Sequence, residues 1–69
     1  MEVTFTKHAE ERMKKRNITK EEIINTISYP KKVLKRGGLY YARKNMGRAT
    51  IEVVYEKDKY INVVTVYYL

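Results

Sequence analysis

Cysteine is absent from this 69-residue chain. That removes a disulfide framework and a thiolate metal site as supports for a small fold. Histidine occurs once, at His8. A zinc site needs about four Cys, His or carboxylate ligands, so no metal site is expected. No close group of acids of the kind a two-metal nuclease requires can be found. The P-loop pattern, G-x-S-x-G and the dinucleotide fingerprint are also missing, so no cofactor is expected. No apolar run approaches the ~20 residues that span a bilayer. The opening "MEVTFTKHAEE" lacks the pattern of a signal peptide. A chain without Cys suits a reducing compartment, and the expected location is cytoplasmic. Repeats, linkers and low-complexity segments are lacking, which leaves one domain over residues 1–69. A domain of this size buries roughly 60% of the surface its unfolded chain exposes, enough for one thin core.

What the chain has in excess is positive charge. Fifteen Lys and Arg stand against eight Asp and Glu, a formal net charge of +7. Such a balance favours a polyanion or an acidic protein as partner. The cations recur along the chain ("KK", "KRGG", "ARKN") and form no disordered tail, so they belong to a folded surface.

"EVTF" reads as a short first strand. Thr6 can cap a helix running to Arg16, whose apolar stripe is only Ala9 and Met13. The aliphatic stems of Arg12 and Arg16 can widen that stripe. A second helix opens with the capping box Thr19-x-x-Glu22, with Ile18 and Ile23 at the hydrophobic-staple positions. Ile23, Ile24 and Ile27 form its expected apolar face, and Pro30 stops it at or before Tyr29. Beyond Pro30 the pattern alternates. "KKVLKR-GG-LYYARKN" predicts a hairpin around Gly37-Gly38, a pair suited to positive φ. "ATIEVVYE" and "KYINVVTVYYL", rich in β-branched and aromatic residues, predict the central strands. The resulting order, β-α-α-β-β-β-β, is an α+β fold with two N-terminal helices packed on one face of a four-stranded antiparallel sheet, plus a short N-terminal strand.

If Lys57-Asp58 is the last turn, Glu56 faces Lys59 and the register runs outward from there. One face then presents Ala49, Ile51, Val53 and Tyr55 against Tyr60, Asn62, Val64 and Val66, and lies under the helices. The other pairs Arg48 with Tyr67, Thr50 with Thr65 and Glu52 with Val63. A polar cluster of Arg, Thr, Glu and Tyr gathers at one end of that open face.

One His, five Arg, ten Lys and seven Tyr suit metal-free cleavage of RNA. That reaction needs a base for the 2′-hydroxyl proton, cations for the phosphorane-like transition state and an acid for the leaving 5′-oxygen. His8 falls at the second helical position, beside the positive helix end and one turn from Arg12. Both favour neutral imidazole, hence a base. The candidate catalytic residues are His8, Arg12, Arg48, Thr65 and Tyr67. Lys15, Arg16, Arg43 and Lys44 are the candidate phosphate contacts. Plainer accounts stand beside these: His8 as a surface helix residue, Arg12 and Arg16 as core-covering stems, Arg43, Lys44 and Arg48 as charges that keep strand edges soluble.

"FTKHAEERMKKRNITKEEI" resembles the opening of a small prokaryotic domain-of-unknown-function family, with its F-T-x-H-A, Arg and R-x-I-[ST]-x-E-[ED]-[IV] pattern. "IEVVYEKDKYINVVTVYYL" resembles that family's closing V-V-Y and V-[IV]-T-V-Y. The recurrent positions fall on His8, Arg12, Arg16, Thr65 and Tyr67. That family is in turn similar to the RelE, ParE and BrnT toxins. The resemblance implies the same RelE/ParE-like α+β architecture and a metal-independent endoribonuclease controlled by an antitoxin encoded alongside. It also implies an antitoxin protein as partner; RNA, on or off the ribosome, and a second copy of the chain complete the expected partners, and no membrane is expected. Two features depart from the RelE pattern: the basic C-terminal segment is missing, and the sole His lies on the first helix. ParE-like relatives that do not cleave RNA keep open a non-catalytic module binding nucleic acid or an acidic protein, or a toxin with a protein target.

Overall fold

The step from strand to helix is made by Thr6. In the computed structural model, which describes residues 1–69, β1 (Val3–Phe5) ends at this residue and α1 (Lys7–Arg16) begins. The Thr6 hydroxyl accepts from the Ala9 N–H at 3.0 Å, satisfying one of the free donors of the first turn. The same hydroxyl donates to the Val64 carbonyl at 2.9 Å, and the Thr6 N–H donates to Val63 at 3.0 Å. The helix start is thereby fastened to a strand 58 residues further on. α1 ends at Asn17, in the left-handed region at φ 56°, a conformation Asn tolerates better than most residues.

α2 (Lys20–Ser28) opens with the reciprocal capping box of Thr19 and Glu22. It stops at Tyr29, before Pro30. Its buried face differs by one residue from the expected stripe. Ile24 is 42% exposed, whereas Thr26 is fully buried. Ile23, Thr26 and Ile27 follow the i, i+3, i+4 spacing that one helix face requires, and Ile24 lies off it. Burial of the Thr26 hydroxyl is tolerated because it donates to the Glu22 carbonyl at 2.8 Å.

Five strands form one sheet in the order β1-β5-β4-β3-β2. β2 (Lys32–Arg36), β3 (Leu39–Asn45), β4 (Thr50–Lys57) and β5 (Ile61–Tyr68) are antiparallel neighbours. The short first strand joins them as a fifth, parallel to β5. The sheet is therefore mixed, where four antiparallel strands were expected. Gly37 and Gly38, at φ 59° and 82°, make the two-residue turn between β2 and β3.

The register of the last hairpin corrects the expected one. Lys57 pairs with Ile61, so the turn takes residues 58–60 and not Lys57-Asp58. Val54 pairs with Thr65 but Tyr55 with Val63, leaving Val64 as the extra residue of a β-bulge. Before the bulge, Ile61 and Val63 face the helices, not Tyr60, Asn62 and Val64. After it, Val66 faces them as expected. Arg48 precedes β4 and is not paired with Tyr67. The partner of Tyr67 is Glu52.

Ala9, Met13, Ile18 and Ile23 pack with Ala42, Ile51, Val53, Tyr55, Ile61, Val63 and Val66 into one core between helices and sheet. Tyr40 and Tyr55 extend it toward β2 as stacked rings 5.2 Å apart. No helix is long and apolar enough to cross a membrane.

Thr6→Ala removes the cap and the tie to Val64 together. We expect a loss of ~1–2 kcal/mol, the usual scale for a helix cap. It should appear as a lower urea midpoint at unchanged m-value. Thr6→Ser should keep most of the stability, and an unchanged midpoint for Thr6→Ala would show that this junction is not a support of the fold.

Candidate nucleic-acid interface

Alternation places every second strand residue on the face that carries no helix. Three rows of side chains cross this open face. Lys32, Arg43, Glu52 and Tyr67 form one, and Leu34, Tyr41, Val54 and Thr65 the next. Glu56, Asn62 and Thr4 continue a third toward β1.

The first row holds the one buried carboxylate. Glu52 is 8% exposed. It accepts from Arg43 Nη2 at 3.1 Å on Oε2 and from the Tyr67 hydroxyl at 2.5 Å on Oε1. Such a group needs charged or hydrogen-bonding partners, because an unpaired buried carboxylate is far too costly. Burial, and then the hydrogen bond to Glu52, push the Tyr67 phenol up to about 12. It stays protonated and serves as a fixed donor. Arg43 uses only Nη2 on Glu52, and its side chain remains 41% exposed. Nε is buried without a partner, so Nη1 is the nitrogen left for a ligand.

Beside this row lies a hollow of about 220 Å³ lined by Leu34, Arg36, Tyr41, Arg43 and Glu52. Two guanidiniums, one carboxylate and one phenol thus meet around a partly apolar floor. The segment that supplies β2 and β3 also carries the net charge. Seven of the fifteen cations and none of the eight acids lie between Tyr29 and Ile51, and the remaining eight cations are matched in number by the eight acids. An anion approaching the protein is drawn to β2 and β3.

The candidate residues divide among four places. Thr65 and Tyr67 lie on the open face, as expected. His8, Arg12, Lys15 and Arg16 lie on α1, whose Ala9 and Met13 pack against the opposite face. The sheet therefore separates His8 from Tyr67. His8 and Lys15 are exposed, Arg12 and Arg16 half-buried. Arg16 fits the core-covering account, with its Nε buried and without a partner. Arg43 belongs to the Glu52 row. Lys44 points to the helix side, where its ammonium donates to Asn25 Oδ1 at 2.6 Å.

Arg48 was expected beside Thr65 and Tyr67 and is found elsewhere. It sits in the turn after Gly47 (φ 92°), outside the alternation of β4. Its guanidinium forks onto Glu22 at 2.9 and 3.1 Å, and donates to the Asn17 carbonyl and to the Tyr68 hydroxyl. Arg48 thus holds the α1–α2 junction to the end of β5. The bidentate pair raises the Arg48 pKa and lowers that of Glu22. Nothing in the local sequence marks Arg36 and Tyr41. Glu52 was placed in the polar cluster but opposite Val63. Its signal was a lone acid inside the β-branched run "TIEVVY".

The raised Tyr67 phenol has a consequence for alkaline stability. The folded state holds it above its ordinary value of 10.0, so its contribution is complete below pH 10.0 and is lost as pH rises toward about 12. Urea unfolding across that window should therefore show a shallower fall for Tyr67→Phe than for wild type. Equal slopes would show that the phenol is not held protonated by its surroundings.

No curated protein and no solved structure matches this chain. One family model does, over residues 5–68, which takes in both helices and strands β2 to β5. That span covers the Glu52 row, the adjoining hollow and the Arg48 clamp. The chain is a member of the domain-of-unknown-function family DUF4258.

Proposed function

We propose that the protein is a metal-independent, toxin-like endoribonuclease whose reaction centre is the open sheet face. The observation that supports this most is the Arg43–Glu52–Tyr67 row beside a hollow containing Arg36 and Tyr41. The likeness to RelE, ParE and BrnT toxins supports the same class, and an antitoxin protein and ribosome-bound RNA are the partners it brings with it.

In this reading Glu52 takes the 2′-hydroxyl proton, the role first assigned to His8. The attacking 2′-oxygen closes on phosphorus while Arg36 and Arg43 take up the charge that grows on its equatorial oxygens. Tyr67 donates to Glu52 and fixes its orientation. Tyr41 lines the same hollow, and its hydroxyl supplies the proton to the departing 5′-oxygen. Products are a 2′,3′-cyclic phosphate and a 5′-hydroxyl. A non-catalytic RNA binder is the second reading. It is favoured by Glu52 itself, whose two oxygens already accept from Arg43 and Tyr67 as in a structural ion pair.

Incubation of the purified protein with single-stranded RNA in excess EDTA separates the two. Under the ribonuclease reading cyclic phosphates accumulate. Glu52→Gln slows the reaction by ~100-fold or more, the scale of a lost general base, and His8→Ala cleaves like wild type. Each variant must first be shown folded by circular dichroism. Absence of cyclic product, with or without ribosomes, leaves the binder. Loss of cleavage in His8→Ala returns the centre to α1.

Binding itself should depend on salt. With three to five phosphate contacts, log K falls against log salt with a slope of roughly −0.7 per contact. Affinity that is constant from low to physiological salt would contradict either RNA reading.

A further inference from the structure

A second hollow, of about 440 Å³, lies where β2 begins and β3 ends. It is lined by Lys31, Lys32, Arg43, Lys44, Asn45 and Thr50. None of the six is an acid, and with the Lys44 ammonium turned to Asn25 on the helix side, Lys31, Lys32 and Arg43 set the positive local potential. Lys31 and Lys32 are exposed and belong to neither of the protein's two ion pairs. Asn45 Oδ1 accepts from the Gly47 N–H at 2.7 Å. Its amide nitrogen is thereby left as a donor. The Lys31 N–H donates to the Arg43 carbonyl at 2.9 Å, fastening the start of β2 to β3 at this edge.

The two hollows share one residue. Arg43 lines both, and only its Nη2 is engaged by Glu52. A guanidinium between two cationic hollows can bridge consecutive phosphates of one strand, which a free mononucleotide does not present. We propose that the Lys31–Lys32–Arg43 hollow is a second phosphate subsite, which takes the phosphodiester next to the one seated at Arg36 and Arg43. Its ligand class is the backbone of single-stranded RNA. The consequence for cleavage rests on the ribonuclease reading: a substrate carrying this additional phosphate is preferred over a bare dinucleotide.

The test separates binding from reaction. The probe is a dinucleotide with 2′-deoxyribose at the reacting position, which cannot be cleaved, with no added phosphate, a 5′-phosphate or a 3′-phosphate. One of the two phosphorylated forms should bind wild type about tenfold more tightly than the bare form, the scale of charge-assisted contacts. In the double variant Lys31→Gln/Lys32→Gln that gain, taken as the ratio of phosphorylated to bare form within the same variant, should fall below about twofold. Lys57→Gln/Lys59→Gln removes the same charge at the β4–β5 turn and should keep the gain. No gain in wild type, or an equal loss in both double variants, overturns the subsite. With the cleavable ribodinucleotides, a binding gain without any cleavage would sink the ribonuclease reading and uphold the subsite. Cleavage without a binding gain would do the reverse.

Discussion

One extra residue in β5 sets where everything else in this molecule can be. Alternation assigns each strand residue to one face, and the bulge at Val64 resets that assignment midway along the strand. Ile61 and Val63 on one side of it, and Val66 on the other, can then all reach the same core. Thr65 and Tyr67 are left on the open face, with Tyr67 opposite Glu52. Thr6 fastens the bulge from outside the strand through the carbonyls of Val63 and Val64. The start of α1 and the placement of the open-face row are thus fixed by the same few bonds.

Two arginines of similar sequence setting take up different work. Arg48 spends most of its fork within the fold, on Glu22, Asn17 and Tyr68. The junction of three elements is held in a geometry that a lysine ammonium could not reproduce. Arg43 gives one terminal nitrogen to a buried carboxylate and keeps the other, its Nε being buried. Together with Arg36, Lys31 and Lys32 it makes the β2–β3 end a surface with an excess of positive charge. The contrast is why the ribonuclease reading is built on Arg43 and not on Arg48.

The helices were legible in the sequence because their ends carry local chemistry. Thr6, the Thr19–Glu22 box and Pro30 each act within four residues, and the α1 and α2 boundaries follow from them. The Gly37-Gly38 hairpin was legible for the same reason. What strict alternation could not show was the bulge, since Val63 and Val64 are chemically alike and either can face the core. The position of Arg48 was hidden by Gly47, which takes the chain out of the strand pattern before β4. Pairing of β1 with β5 joins residues nearly sixty apart, and nothing local in "EVTF" announces it. The localisation of charge was legible in principle. It shows in where acids are missing, not in where cations occur.

The central claim is that RNA meets the open face of the sheet and not α1. Backbone and side-chain NMR shifts of the labelled protein, followed during titration with a short RNA blocked by 2′-deoxyribose at the reacting position, test it most directly. Changes are expected at Arg36, Tyr41, Arg43 and Tyr67, with His8, Arg12 and Lys15 unmoved. Shifts centred on His8 and Arg12, with the Glu52 row silent, would contradict it.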